Sequence, residues 1–250
     1  MRKALPVYLI HYDAPEWIAS SARSLLDSDI PVSITVIDNG PDLASASLHL
    51  PVQVRVVRSG HNAGFAGGAN MALNLWLHSG AEYAVIGAHD LHVQSDTLRL
   101  MMEAAISRPT VGIIGTHAGH SPSGPSGRVG DLEFREWVSG ICMLVTRTCI
   151  ERIGLFDETF HSYCEDVDIC ERARAHGFEV AWLRSARAHG LGTSSPDAPA
   201  MSATNKLRLA QKRGPGSVAR IVLRYGFYIL QSTLARVSGL SGWRGVSVGT

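Results

Sequence analysis

From residue 5 to residue 115 the chain alternates short apolar runs with segments of helical period, and this restricts the fold more than any other property of the sequence. The run LPVYLI (5–10) reads as a strand and is followed by Trp17, Ile18, Ala22, Leu25 and Leu26 at helical spacing. The β-branched run VSITVIDNG (32–40) is stopped by the turn signal Asp38-Asn39-Gly40. An alternating run at 52–57 leads into a glycine loop and a helix that stops near Gly80. A strand at 83–86, a helix at 95–107 with Ser95 or Asp96 as its cap, and a strand at 111–115 complete the series. Strands and helices in this order form right-handed βαβ units, which predicts a mostly parallel central sheet covered on both faces. In such sheets ligands collect at the carboxyl ends of strands, where Tyr12-Asp13, Asp38-Asn39 and Asp90-His92 fall.

The remainder is more varied. Residues 116–131, rich in Gly, Ser, Pro and His, read as a surface loop over a cleft. Strand character returns at 137–146 and 180–183, with a helix from about Glu165 to His176 between them. A second Gly/Ser/Pro loop runs from His189 to about Pro199. The tail is helical in pattern, broken at Gly214-Pro215-Gly216, and its last segment carries Arg220, Arg224 and Arg236. Those charges make it a poor membrane span; it either packs on the core or a partner, or lies as a basic amphipathic helix on an anionic membrane. The expected division is a catalytic domain over 1–205 and a helical extension over 206–250.

A formal charge of +1 argues against a broad nucleic-acid surface. The N-terminal apolar run is cut by Pro6 and ended by His11 and Asp13, so it reads as a first strand and not as a secretory signal. Cys142, Cys149, Cys164 and Cys170 show neither a CxxC pair nor zinc-like spacing, which fits reduced thiols in the cytoplasm.

Two stretches carry chemistry. In YAVIGAHDLHV (83–93), an extended backbone would point Asp90 and His92 to one side and His89, Leu91 and Val93 to the other. A carboxylate with an imidazole suits Mn²⁺ better than Mg²⁺, and two protein ligands are enough for an ion completed by water and phosphate oxygens. The plainer alternative is a hydrogen-bonded structural histidine at a strand end. In YCEDVDICERARAHG the acids Glu165, Asp166 and Asp168 crowd a helix start, where the positive end of the helix favours them. The same placement keeps a carboxylate ionised and able to take a proton from an alcohol. The loop GHNAGFAGGAN (60–70) lacks both the dinucleotide fingerprint and the phosphate-loop ending. Its glycines allow close backbone approach to a ligand or a strand.

Taken in order, IHYD (10–13), VIDNG (36–40), HNAGFAGGAN (61–70), GAHDLHV (87–93), GLFDETFHSYCEDVDICERARAHG (154–177) and AHGLGTSS (188–195) resemble the GT-A-fold, family-two inverting glycosyltransferases, especially the rhamnosyltransferase-like branch. The resemblance covers roughly residues 4–210. It implies a nucleotide-diphospho-sugar donor, a glycan, lipid-linked or small-molecule acceptor, no nucleic acid, and a divalent metal, Mn²⁺ or Mg²⁺. By the same resemblance Tyr12 and Asp13 lie where the nucleoside is held, and Asp38 bonds the base. The segment with Asn62, Gly64, Phe65 and Gly67 closes around the donor. Asp90 matches the last acid of the metal motif, with His92 and His189 as further ligands, and Asp166, beside Glu165, matches the general base. The chain departs from the pattern at Ala88, where the family commonly carries another polar ligand. The implied enzyme is cytoplasmic, or peripheral at the inner face of the membrane through its C-terminal helix. Two rivals are a nucleotide-sugar-binding relative with little or no turnover and a sugar-nucleotide nucleotidyltransferase. HYDAPEW lacks the glycine-rich basic loop expected of the latter.

Overall fold

A computed structural model describes residues 4–40, 49–116, 128–129, 131–190 and 198–221. Most of the 116–131 loop, most of the loop after His189, and the arginine-bearing final helix beyond residue 221 lie outside the described residues. The chain divides into two compact units, residues 1–195 and 196–250. In the second, the helix α6 (Ala198–Arg213) runs unbroken through the boundary expected at 205/206. Among the described residues no helix is long and apolar enough to cross a membrane.

The first unit is built on a nine-stranded sheet of order β3-β2-β1-β4-β9-β6-β10-β8-β7. Its strands are β1 (Leu5–His11), β2 (Val32–Asp38), β3 (Arg55–Arg58), β4 (Tyr83–Ala88), β6 (Val111–Thr116), β7 (Arg128–Val129), β8 (Leu132–Phe134), β9 (Cys142–Thr146) and β10 (Glu179–Leu183). β1 pairs in parallel with β2 and β4, β2 with β3, and β6 with β10. β9 is antiparallel to both β4 and β6, so it joins the two parallel halves. A separate ribbon pairs β5 (Leu91–Val93) with β11 (Ala188–Gly190).

Period-two alternation explains why helices cover both faces. Val7 and Leu9 of β1 join one apolar cluster with Ile18 and Leu25 of α1 (Pro15–Leu26) and Leu98 and Met101 of α3 (Thr97–Ser107). Tyr8 and Ile10 face the other way, toward Leu73 and Trp76 of α2 (Gly64–Ser79), Ile150 of α4 (Arg147–Ile153) and Ile169 of α5 (Glu165–Ala175). α2 ends as expected at Gly80, whose φ of 70° is the left-handed stop that glycine takes without a Cβ penalty. Arg147 holds this end of the helix, donating to the carbonyls of Leu77 and Trp76 in its last turn at 3.1 and 3.2 Å and to that of Ala81 just beyond it at 3.0 Å. Asp96 sits at the cap position of α3 but makes no side-chain capping bond. The strand expected at 137–146 begins only at Cys142.

The fold brings the C-terminal ends of β1, β2, β4, β6 and β10 and the N-terminal end of β9 to one edge.

Candidate active site

The strand ends are tied to one another before any ligand arrives. His11 and Asp38 are register partners, both buried, with His11 Nδ1 3.0 Å from Asp38 Oδ1. The Ala14 N–H donates to His11 Nε2 at 3.1 Å. A ring nitrogen that accepts carries no proton, so a neutral His11 donates from Nδ1 to Asp38. Asp38 Oδ1 also accepts from the Gly40 N–H at 2.9 Å. The carboxylate therefore shapes the turn after β2 while lying 1% exposed. Tyr12 is 47% exposed and Asp13, also exposed, sits at a φ of 45°, both just after β1.

The glycine segment is packed against protein. Gly64 has a φ of 69°, and a Cβ there would run into the carbonyl and ring of His161. A Cβ on Gly67 would stand 2.7 Å from the Ala63 side chain, and one on Gly68 2.7 Å from Ile10 and 2.9 Å from Asn39. The first N–H groups of α2 are likewise taken: Phe65 donates to Ser162 Oγ at 3.0 Å and Ala66 to the His161 carbonyl at 2.9 Å. Asn62 Oδ1 accepts from the Gly64 N–H at 3.0 Å, and Asn39 Nδ2 donates to the Gly64 carbonyl at 2.9 Å. Asn62 itself is exposed.

At the end of β4 the structure corrects the extended reading of 89–93. His89 and Asp90 form a turn that carries the chain out of the main sheet, and only Leu91–Val93 is strand. Face-sharing at i and i+2 therefore does not place Asp90. Ser21 Oγ donates to the His89 carbonyl at 2.7 Å, which fixes this turn on α1. In the ribbon His92 stands directly opposite His189, ring centroids 5.6 Å apart, and His92 Nε2 lies 3.0 Å from Ser20 Oγ. Burial lowers the His92 pKa, with His189 lowering it further and Asp90 opposing, so its imidazole is neutral at neutral pH. Asp90 is 6% exposed, and its Oδ2 is 3.4 Å from where a Cβ on Gly190 would stand. Among the described residues no group of three or more His, Cys, Asp or Glu side chains is arranged to hold a metal ion.

The three acids at α5 separate in role. Asp168 is bonded to Arg172 at 2.9 Å, and that guanidinium also holds the carbonyls of Ile153 and Leu155 at 2.8 Å each, a structural lock. Asp166, half-buried, accepts from the Gly140 N–H at 3.2 Å through Oδ2 and from the Val167 N–H at 2.8 Å through Oδ1. Burial raises its pKa and these N–H groups restrain the rise. Glu165 is 6% exposed, and its Oε2 has no hydrogen-bond partner among the described residues. Burial first, and the neighbouring Asp166 second, push its carboxyl well above the usual range.

One segment connects the two acidic positions. The Ala88 N–H, at the end of β4, donates to the Ile141 carbonyl at 3.2 Å, and the Ile141 side chain lies against Gly190 beside Asp90. The preceding residue, Gly140, holds Asp166. Asp90 and Asp166 thus flank Gly140–Ile141 on the strand-end edge. Gly140 and His11 have no role in the sequence reading, although glycine just before a strand marks close backbone approach.

No family model matches the chain. It is 24% identical, over 245 aligned residues, to the N-acetylglucosaminyl-diphospho-decaprenol L-rhamnosyltransferase of Mycobacterium tuberculosis, covering 77% of this chain and 79% of that protein. The mannosyltransferase PcManGT of Pyrobaculum calidifontis, solved with GDP-Man and Mn²⁺, superposes with a TM-score of 0.59 at 16% identity, covering 98% of this chain and 82% of that one. TarS of S. aureus superposes with a TM-score of 0.57 at 16% identity over 82% of this chain, which spans 40% of the TarS chain. The fold is that of the GT-A glycosyltransferases. With the sequence relatives, it supports the family-two glycosyltransferase resemblance that the motifs carry.

Proposed function

We propose that the chain transfers a sugar from a nucleotide-diphosphate donor to an acceptor hydroxyl, with inversion at the anomeric carbon. The observation that carries this reading is the Gly140–Ile141 segment, which sets a backbone-held carboxylate, Asp166, on the same strand-end edge as the Asp90 turn. Asp166 takes the proton of the acceptor hydroxyl as its oxygen attacks the anomeric carbon. The new C–O bond forms on the face opposite the breaking bond, and the diphosphate leaves with the electron pair. Two N–H donors orient the Asp166 carboxylate for that step and oppose the upward push of burial on its pKa. Tyr12 and Asp13, exposed just after β1, meet the nucleoside. Asp38 acts through the turn that it braces with His11 and Gly40.

The donor set fits a divalent cation in its chemistry: a largely buried carboxylate at Asp90 near a neutral imidazole at His92, with His189 opposite. Two or three such groups would hold Mn²⁺ in preference to Mg²⁺, leaving the other positions to diphosphate oxygens and water. When bound, the ion supplies neutralisation of charge on the departing diphosphate. The GDP-Man and Mn²⁺ of the Pyrobaculum structure support this reading, and the diphospho-decaprenol in the mycobacterial relative's name supports a lipid-linked or glycan acceptor.

The test is a panel of nucleotide sugars, each with and without Mn²⁺, scored by thermal shift. A ligand at 100 times its dissociation constant stabilises the native state by about 2.7 kcal/mol, enough to separate a donor from bystanders. At least one nucleotide sugar is expected to raise Tm more with Mn²⁺ than without. A panel with no stabilising member overturns the proposal.

A further inference from the structure

We infer that Phe65 and Gly140 together position Asp166, so that the aromatic residue of the segment likened to the donor-closing loop serves the base instead. This deepens the glycosyltransferase reading and rests on its assignment of Asp166. A Cβ on Gly140 would stand 3.2 Å from Phe65 Cε1, 3.3 Å from Cζ and 3.8 Å from the Asp166 Cβ. The space that a side chain at 140 would enter is therefore taken by the Phe65 ring, with the stem of the aspartate next to it, while the glycine N–H bonds Asp166 Oδ2. A side chain at 140 has no room unless the ring moves. Without the ring, nothing in this contact presses the Gly140 backbone toward the carboxylate.

The ring is itself held. The Phe65 N–H is fixed on Ser162 Oγ, and its ring meets Phe156 edge to face with centroids 6.3 Å apart. Phe156 is pinned through its backbone by Asn70, which accepts from its N–H at 2.8 Å and donates to its carbonyl at 3.0 Å. On the other side, the chain entering α5 is strained: His161, Tyr163 and Cys164 have φ values of 56°, 72° and 71°. Non-glycine residues in such conformations persist only where surrounding contacts impose them. The contacts here include those of the first turn of α2, through Gly64, Phe65 and Ala66. The placement of Asp166 is thus imposed from α2 by two routes, the loop at 161–164 and the Phe65–Gly140 contact.

The test compares Phe65→Ala, Phe65→Leu, Gly140→Ala and the Phe65→Leu/Gly140→Ala pair in the full chain. Affinity for uridine, guanosine and thymidine diphosphates is measured by calorimetry with Mn²⁺. The ionisation of Asp166 is followed by carboxyl ¹³C NMR, its signal assigned with Asp166→Asn. Glu165 and Cys170 are the titratable groups that sense Asp166, and neither is altered. In Phe65→Ala and Gly140→Ala the Asp166 midpoint is expected to move upward, because a carboxylate that loses an N–H donor is less stable ionised. Nucleotide affinity should stay as in the unmodified chain. Leu at 65 makes room for the alanine methyl, so the pair should recover part of the Gly140→Ala shift, a coupling that independent sites lack. Should Phe65→Ala fail to fold, Gly140→Ala and the pair carry the same readings. The inference stands only if the midpoint moves and whatever nucleotide affinity the unmodified chain has is kept; an unmoved midpoint overturns it, and so does a fall in affinity, which returns Phe65 to the donor. An unmodified chain that binds none of the diphosphates counts against the glycosyltransferase reading, while the Asp166 midpoints still judge the positioning.

Discussion

The two acidic positions on the strand-end edge are built in opposite ways. Asp166, in the first turn of α5, is held by two backbone N–H groups, with a strained loop before it and with Gly140, packed against the Phe65 ring, supplying one of the two donors. Asp90 sits in a turn at the root of a two-stranded ribbon, beside imidazoles that are not gathered into a ligand cluster. The difference follows from what each has to do. A general base must be within hydrogen-bond reach of its proton at the moment of attack, so its geometry has to be supplied by the protein. A cation completed by the oxygens of a bound diphosphate needs only part of its ligands from the protein, and the substrate brings the rest.

The largest expected effect breaks the rigid side. Asp166→Asn keeps the shape but cannot take a proton, and its single amide oxygen can accept from only one of the two N–H groups that the carboxylate holds, so turnover should fall by about 100- to 10,000-fold. Nucleotide affinity should be untouched, and calorimetry alongside a product assay separates the two. Retained turnover would remove Asp166 from the role of base and with it the contrast drawn above.

Next in size is the other side. Asp90→Ala should abolish the Mn²⁺-dependent part of nucleotide affinity, a loss of about tenfold or more, worth roughly 1.4 kcal/mol or above. Affinity measured in EDTA should be the same in both proteins. Chelation of the unmodified protein should reproduce the variant, since among the described residues no ligand cluster is arranged to retain the ion alone. If Mn²⁺ binds tightly without nucleotide, the view of this turn as a half-site fails.

These two halves were not equally legible. From β1 to β6 the helices and strands announce themselves because each has one or two faces against the sheet, and burial imposes a period on the sequence. The same logic placed Asp13, Asp38 and Asp90 at strand ends. It could not place β9, because antiparallel insertion between β4 and β6 is a matter of pairing across the fold and leaves no local trace. The stretch Trp137–Ile141 reads as strand by composition, yet the structure keeps it irregular, and there Gly140 meets Asp166. Likewise His92 opposite His189 and His11 on Asp38 depend on register between distant segments. By charge and position the three neighbouring acids read alike, and only the family resemblance singles out Asp166; in the structure the partner of each, Arg172 for Asp168 and Gly140 for Asp166, separates them physically.

Glu165 supplies the smallest and subtlest effect. It lies against Asp166 in an interior that leaves its Oε2 without a partner among the described residues, so its ionised form is disfavoured by burial and then by a like charge. A carboxyl whose folded pKa is raised binds its proton more tightly in the native state than in the unfolded chain. Its contribution to stability is therefore fully present below the unfolded carboxylate pKa and is lost as pH rises through the folded value. Glu165→Gln keeps the volume and cannot ionise. Near neutral pH the variant should be more stable than the unmodified protein, because it is spared the cost of holding an ionisable carboxyl protonated in the interior there. The gap should close as the pH is taken down to the range where free carboxyls protonate. Denaturant unfolding of both proteins across that span measures it directly. A gap that widens toward acid would mean that Glu165 is ionised in the fold and paired. The neighbour of the base would then be an anion held in place, not a proton held out of water, and the rigidity ascribed to the Asp166 side would have to come from elsewhere.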